Sequence, residues 1–264
     1  MLEIKINGDL YQVKNAWADI SIETAAKIAS LKMPDTLADL YLVAYQSSGL
    51  DDQEKDRRII AAQEAISIED QFKKIPKYYS EVLEILSDIP HKVVLNISSP
   101  SITTLYMQYL RSMVEGILYY PPDFSAGELE YFDFKGERYY LPTSTEIMGR
   151  KVPMVDLTAL EFTESADILI ALSAMNKDRD LMLLCNLISI LCRPKGEKYD
   201  EMKSSQRAKK FKDLTLDIVW NVFFSLITPL LILKQYDQIS LLEKAVRKAR
   251  EKMSYNPSAG TGKS

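Results

Sequence analysis

The chain ends on PSAGTGKS (Pro257 to Ser264), whose last letters match the end of a phosphate-binding loop. Such a loop needs Gly-x-x-x-x-Gly-Lys-Ser, with a strand before it and a helix after it whose first amides surround the phosphates. Here Pro257 occupies the first glycine position, and an amphipathic helix rather than a strand is predicted before the stretch. We therefore expect residues 255–264 to form a disordered tail without a role in nucleotide binding.

Residues that could act as a nucleophile, a base or a zinc ligand are sparse. His91 is the only histidine, and it stands beside Pro90 at a segment boundary, where we predict a surface or capping residue. Cys185 and Cys192 are seven positions apart in an apolar helical stretch. That spacing is about 10 Å of helical rise, too far for a disulfide within one helix. We predict two buried apolar thiols, no catalytic residue, no metal site and no cofactor.

Three carboxylates, Glu161, Glu164 and Asp167, share one predicted helix at positions i, i+3 and i+6. They could face a divalent cation, although a magnesium site usually recruits a second segment. Thr158 and Glu161 also have the spacing of a capping box, in which each side chain accepts from the other's backbone amide. We favour the capping interpretation and keep a metal-dependent enzyme or host-modulating factor as the alternative.

Basic residues concentrate in two segments, one from Lys203 to Lys212 and one from Lys244 to Lys252. The chain as a whole is acidic, with a net charge of -4 and a pI near 5.3. That balance argues against a protein whose whole surface seeks nucleic acid. We interpret the segments as solvated helix faces or a protein contact, with a DNA-contacting structural protein as a further alternative.

Two β-hairpins are predicted from the sequence. Asn7-Gly8 lies between alternating apolar residues, which is the strongest short hairpin signal, and Lys135-Gly136 is the turn of a second hairpin. Similar phrases follow the two hairpins, Asp19-Ile20-Ser21 and Asp156-Leu157-Thr158. This similarity indicates either a repeated hairpin–helix unit or the ordinary recurrence of two common motifs. HKVVLNI, from His91, is predicted as a short strand or extended connection.

Two strongly apolar stretches, Leu181 to Cys192 and Thr215 to Leu233, are predicted to form the core helices. The apolar run from Ile218 to Leu233 is shorter than the roughly 20 residues of a membrane span, so we expect a buried helix and no membrane. The predicted fold is mainly α (α-rich α+β), with a helical bundle core and two small β-hairpins. Residues 1–120 and 121–254 are expected to pack as one unit. The residues expected to pack the core helices are Phe211, Trp220, Phe223, Phe224, Ile239 and Leu242.

The charged loop RPKGEKYDE begins at Arg193, after the first core helix. Arg193 suits a helix C-terminus, Pro194 prevents its continuation, and Gly196 permits a turn. An exposed charged loop between buried helices is a docking surface or an ordinary connector, and tyrosine-rich segments are common at interfaces. The candidate protein-binding residues are Arg193, Lys195, Glu197, Tyr199, Asp200, Arg207, Lys209, Lys210, Tyr139 and Tyr140.

Four sequence segments resemble those of a known group of proteins. They are RPKGEKYDE, LDIVWNVFFSL with Phe223-Phe224, YYLPTSTEIMG, and the opening INGDLYQV…WADISIE. Together they resemble tailed-bacteriophage proteins encoded among virion structural and assembly genes, and the opening is similar to that of some phage tail assembly chaperones. The resemblance implies a non-enzymatic assembly or virion component that binds other phage structural or assembly proteins. It implies a location in the host cytoplasm during assembly, with the virion as the alternative, and leaves homo-oligomerisation open.

Overall fold

A computed structural model of the chain describes residues 1–47, 50–118, 129–142, 145–147, 150–152, 157–173 and 180–226. Helices make up most of this part, and its strands occur only as two-stranded antiparallel hairpins. The predicted α-rich α+β class is therefore confirmed. In the same residues no helix is both long and apolar enough to cross a membrane.

The chain opens with hairpin 1, which joins β1 (Leu2–Ile6) to β2 (Asp9–Val13). Ile6 lies opposite Asp9, and the two turn residues between them, Asn7 and Gly8, have φ values of 52° and 101°. Positive φ at both positions is what a type I′ turn requires, and Asn-Gly meets that need at little cost. The predicted hairpin is confirmed.

Helices fill the rest of the first half. They are α1 (Ile22–Ala29), α2 (Asp35–Gln46), α3 (Asp52–Glu64), α4 (Ile75–Leu86), α5 (His91–Val94), α6 (Ser99–Leu105) and α7 (Arg111–Leu118). Single π-helical turns precede α4 and join α6 to α7. Side chains cap two of these helices: Ser21 accepts the Thr24 amide at 3.2 Å, and Asp51 accepts the Glu54 amide at 3.0 Å.

The prediction of a strand or extended connection from His91 is wrong, because this stretch forms the short helix α5. The Pro90 carbonyl accepts the amides of Val93 and Val94, and the Val94 side chain is fully buried. Two adjacent valines favour a strand locally, but this packing determines the outcome. His91 itself is exposed, with Nδ1 2.7 Å from Oε1 of Glu84.

The second half contains hairpin 2, which joins β3 (Tyr131–Phe134) to β4 (Glu137–Tyr140) through the predicted turn at Lys135-Gly136. A third hairpin pairs β5 (Thr145–Ile147) with β6 (Arg150–Val152), and it was not predicted. Its strands have three residues each, which is too short for alternation to be recognised in the sequence.

The helices of the second half are α8 (Ala159–Ser173), α9 (Met182–Leu191), α10 (Glu201–Phe211) and α11 (216–226). The predicted core role of α9 is confirmed, because seven of its ten residues are buried and it contacts α1, α8 and α10. Phe211 and Trp220 are buried as predicted, while Phe223 and Phe224 are half-buried. The predictions for Ile239, Leu242 and the tail lie outside the described residues.

One continuous hydrophobic core includes residues from both halves of the chain. In the first half it contains a tyrosine cluster in which Tyr79 stacks on Tyr106 with ring centroids 3.8 Å apart. The hydroxyls of Tyr41 and Tyr106 are 3.0 Å apart, so one donates to the other. Burial raises the pKa of Tyr106 well above its ordinary value of 10.0, which keeps this phenol neutral.

The same type of strand pairing occurs once in each half of the chain. In each, the last strand of a hairpin pairs with the chain just after a core helix: Val13 with Ser87 after α4, and Tyr140 with Arg193 after α9. The Lys14 amide donates to the Leu86 carbonyl at 2.7 Å, and the Tyr140 amide donates to the Arg193 carbonyl at 2.8 Å. This common connectivity is what a repeated unit would produce, and the repeat stays a prediction.

Candidate functional site

The loop that contains the candidate residues is fixed at its first residue, Arg193. Its amide donates to the Tyr140 carbonyl at 3.2 Å, which continues the pairing with hairpin 2. Its guanidinium forms an ion pair with Glu161 of α8, whose side chain is only 1% exposed. The second Glu161 oxygen accepts the amide and hydroxyl of Thr158 at 2.8 and 2.7 Å, so the predicted capping box is confirmed. Arg193 therefore joins the loop to both hairpin 2 and α8.

The end of the loop is fixed in the same way. The Tyr199 hydroxyl donates to the Glu164 carboxylate of α8. Burial, together with this carboxylate, raises the pKa of Tyr199 above its ordinary value of 10.0, so the phenol stays a donor. Asp200 caps α10, because its carboxylate accepts the Lys203 amide at 2.9 Å. The end of the loop is therefore held by α8 at Tyr199 and by the first turn of α10 at Asp200.

Arg207 lies on the buried side of α10 and links this helix to α9 and to the loop. This side chain is buried, forms an ion pair with Glu197 of the loop, and donates to the Ser189 carbonyl of α9 from Nε at 3.3 Å and Nη2 at 3.1 Å. The Ser189 and Ser204 hydroxyls, 3.1 Å apart, form a second link between α9 and α10. A buried charge needs such partners because an unpaired one is very costly.

The two candidate tyrosines of hairpin 2 differ in position. Tyr139 is buried between Phe132, with ring centroids 5.4 Å apart, and Phe211, at 5.0 Å. Burial and the neighbouring Glu137 carboxylate raise the pKa of Tyr139 above its ordinary value. Tyr140 is half-buried, and its backbone carries the pairing to Arg193.

The outward side of this region is basic and exposed. We call it the α10 face, and its residues are Lys195, Lys198, Met202, Lys203, Lys209 and Lys210. Lys203 lies 3.9 Å from Glu197, and Lys210 lies 3.9 Å from Glu137. Lys195, Lys198 and Lys209 have no ion pair within the described ranges.

The structure therefore separates the ten candidate residues by their partners and their exposure. Arg193, Glu197, Tyr199, Arg207 and Tyr139 are occupied by partners inside the chain, whereas the candidate lysines are exposed. Asp200 is exposed but serves as a cap, and Tyr140 is half-buried.

Sequence reasoning missed Met202, which is 73% exposed on the α10 face. It is an isolated apolar residue on a helix whose buried positions are Ser204, Arg207, Ala208 and Phe211. Projecting the sequence on a helical wheel would have placed it outside the buried stripe.

Two of the three carboxylates proposed for a metal site are already engaged by other residues of the chain. Arg193 and Thr158 hold Glu161, Tyr199 holds Glu164, and Asp167 is exposed. Across the part of the chain that the structure describes, no group of three histidine, cysteine or carboxylate side chains could hold a metal ion.

Both cysteines are free thiols inside the core. Burial raises the pKa of the Cys185 thiol to about 12, and burial raises the pKa of Cys192 as well. A thiol that stays protonated at neutral pH is a poor nucleophile. Their position is that of the buried apolar residues predicted from their spacing.

Comparison with known protein families, with curated proteins and with solved structures finds no match to this chain.

Proposed function

We propose that this chain is a non-enzymatic bacteriophage assembly or virion structural protein that binds a protein partner through the α10 face. The phrases RPKGEKYDE and LDIVWNVFFSL, with their resemblance to phage virion and assembly proteins, support the biological setting. One structural observation carries the choice of surface. Buried ion pairs fix the loop and α10 from inside, while Lys195, Lys198 and Lys209 have no ion pair in the described part of the chain.

Rigidity of this kind favours binding. A surface that is already ordered loses less conformational entropy when a partner docks, so more of the contact energy appears as affinity. Exposed lysines around the apolar Met202 suit a partner with an acidic surface and a small apolar contact. Such charges mainly accelerate association and select the partner. The partner class is therefore an acidic surface of another phage structural or assembly protein, met in the host cytoplasm during assembly.

The test compares two doubly substituted chains during infection. Lys195→Glu with Lys209→Glu reverses two exposed charges of the α10 face, and Lys32→Glu with Lys92→Glu makes the same charge change at exposed positions elsewhere. Each chain is tagged and co-purified from infected cells, and its partners are identified by mass spectrometry. We expect the wild type and the control to retain an identified phage structural protein and the α10-face variant to lose it.

Two results would contradict the proposal. A wild-type chain with no stable phage partner and no presence in purified particles would remove the assembly function. Equal retention of the partner by both variants would keep the function but exclude the α10 face as its surface. Both variants must first show wild-type circular dichroism and thermal unfolding.

The exposed lysines of the α10 face also allow a DNA-contacting structural protein as a second candidate. Phosphate contacts release counterions, so such binding must weaken steeply with salt. Binding of duplex DNA at low salt that is lost in Lys195→Glu with Lys209→Glu would favour this candidate. No binding at low salt would eliminate it.

A further inference from the structure

In the part of the chain that the structure describes, hairpin 1 leaves one edge of β1 open. Within the described ranges β1 pairs with β2 alone. Ile6 and Asp9 flank a two-residue turn and so form a hydrogen-bonded pair, which directs the backbone groups of Leu2, Ile4 and Ile6 toward β2. The amides and carbonyls of Glu3 and Lys5 therefore point to the open edge. No described residue forms a backbone hydrogen bond with them there.

This edge is complementary to itself. When two β1 strands run antiparallel about a two-fold axis at Ile4, Glu3 of each copy lies opposite Lys5 of the other. Both side chains are exposed, so each pair joins opposite charges across the new strand boundary. The same register aligns the outward amide and carbonyl of Glu3 with those of Lys5, which forms four backbone hydrogen bonds in all. Shifting the register by two residues loses both charge pairs.

The inward face of β1 is complementary as well. Leu2, Ile4 and Ile6 are half-buried and pack against the hydrophobic core. In the two-fold register Ile4 meets Ile4 of the second copy, and Leu2 meets its Ile6. These positions on one sheet face are close enough for direct side-chain contact. Pairing therefore covers apolar surface that a single hairpin leaves partly in water.

We propose that two copies of this chain pair through β1 into a four-stranded antiparallel sheet of order β2–β1–β1–β2. The occupant of the open edge is a second copy because charges, hydrogen bonds and apolar side chains match in one register. A two-fold contact of this kind is isologous and closes at the dimer. Hairpin 1 lies outside the α10 face, so the dimer and the proposed function can fail separately.

Sedimentation velocity over a concentration series tests this pairing. Lys5→Pro removes an amide that faces the open edge while the ladder to β2 keeps its donors, and we expect this variant to remain monomeric. Lys5→Glu places like charges opposite each other at two symmetric positions, and we expect the dissociation constant to rise by at least about ten-fold. Lys32→Glu, the same change at an exposed position outside hairpin 1, is expected to dimerise like the wild type.

A charge swap identifies the register. Combining Glu3→Lys with Lys5→Glu exchanges the two charges within each strand and restores opposite charges across the axis, so we expect near wild-type dimerisation. Failure of this double variant to recover would overturn the pairing. A wild type that remains monomeric at every concentration also overturns it and leaves an extended segment of another protein as the occupant of the edge.

A cross-link locates the two-fold axis. Ile4 lies opposite itself at a position without hydrogen bonds between the strands, where Cβ atoms are closest. We expect Ile4→Cys to form an intermolecular disulfide under mild oxidation, while Leu10→Cys, exposed on β2, does not. The native thiols are buried, so they contribute little background. Equal cross-linking of the two variants would overturn the β1 contact.

Discussion

Replacing Arg193 with methionine is expected to destabilise the fold strongly. The substitution removes the cation from Glu161, which is only 1% exposed, while the Arg193 side chain itself is 13% exposed. Breaking a buried ion pair from one side typically costs 3–5 kcal/mol, because the remaining charge stays buried without compensation. Thr158 continues to donate two hydrogen bonds to the Glu161 carboxylate, so we expect the lower end, about 3 kcal/mol.

Urea unfolding followed by far-UV circular dichroism measures this loss. For an m value of about 3 kcal/mol/M, a loss of about 3 kcal/mol lowers the unfolding midpoint by about 1 M. Lys195→Met is the matched control, since it removes an exposed cation two positions along the same loop and should leave the midpoint nearly unchanged. Adding Glu161→Gln to Arg193→Met should recover part of the loss, because it removes the buried charge. Equal midpoints for Arg193→Met and Lys195→Met would refute the reasoning.

Three further predictions concern positions away from this loop. Gly116→Ala places a Cβ about 2.6 Å from the Trp17 ring, so we expect a loss of about 1–3 kcal/mol that Trp17→Leu relieves; an unchanged urea midpoint would contradict it. Hydrogen bonds from Lys74 and Thr36 lower the pKa of Asp70 below 3.8, so its stabilisation is complete above that pH and disappears as the pH falls through the lowered value. Thermal midpoints of the wild type should therefore decrease more steeply in acid than those of Asp70→Asn, and parallel curves would be evidence against it. Burial raises the pKa of both cysteine thiols, so neither should react with a disulfide reagent in the folded chain, and both should react in urea; rapid labelling without urea would disprove this.

Local chemistry made several features predictable. The Asn7-Gly8 and Lys135-Gly136 turns require positive φ, and these residue pairs supply it. Ser21 and Thr158 cap helices by bonds that span only three positions. The burial of α9 follows from an apolar sequence that has no polar face. The three-residue strands of the third hairpin and the four-residue helix at His91 could not be predicted, because such short segments show no periodicity.

The sequence by itself determined which residues turn, cap and fill the core, because those properties depend on neighbours a few positions away. Tertiary structure alone decided which charges of RPKGEKYDE are available to a partner. Arg193 meets a carboxylate 32 positions away, and Tyr199 meets one 35 positions away. Charge and spacing in the loop carry no information about such distant partners. The fold therefore engages Arg193, Glu197 and Tyr199 in contacts within the chain and leaves the lysines of the α10 face in solvent.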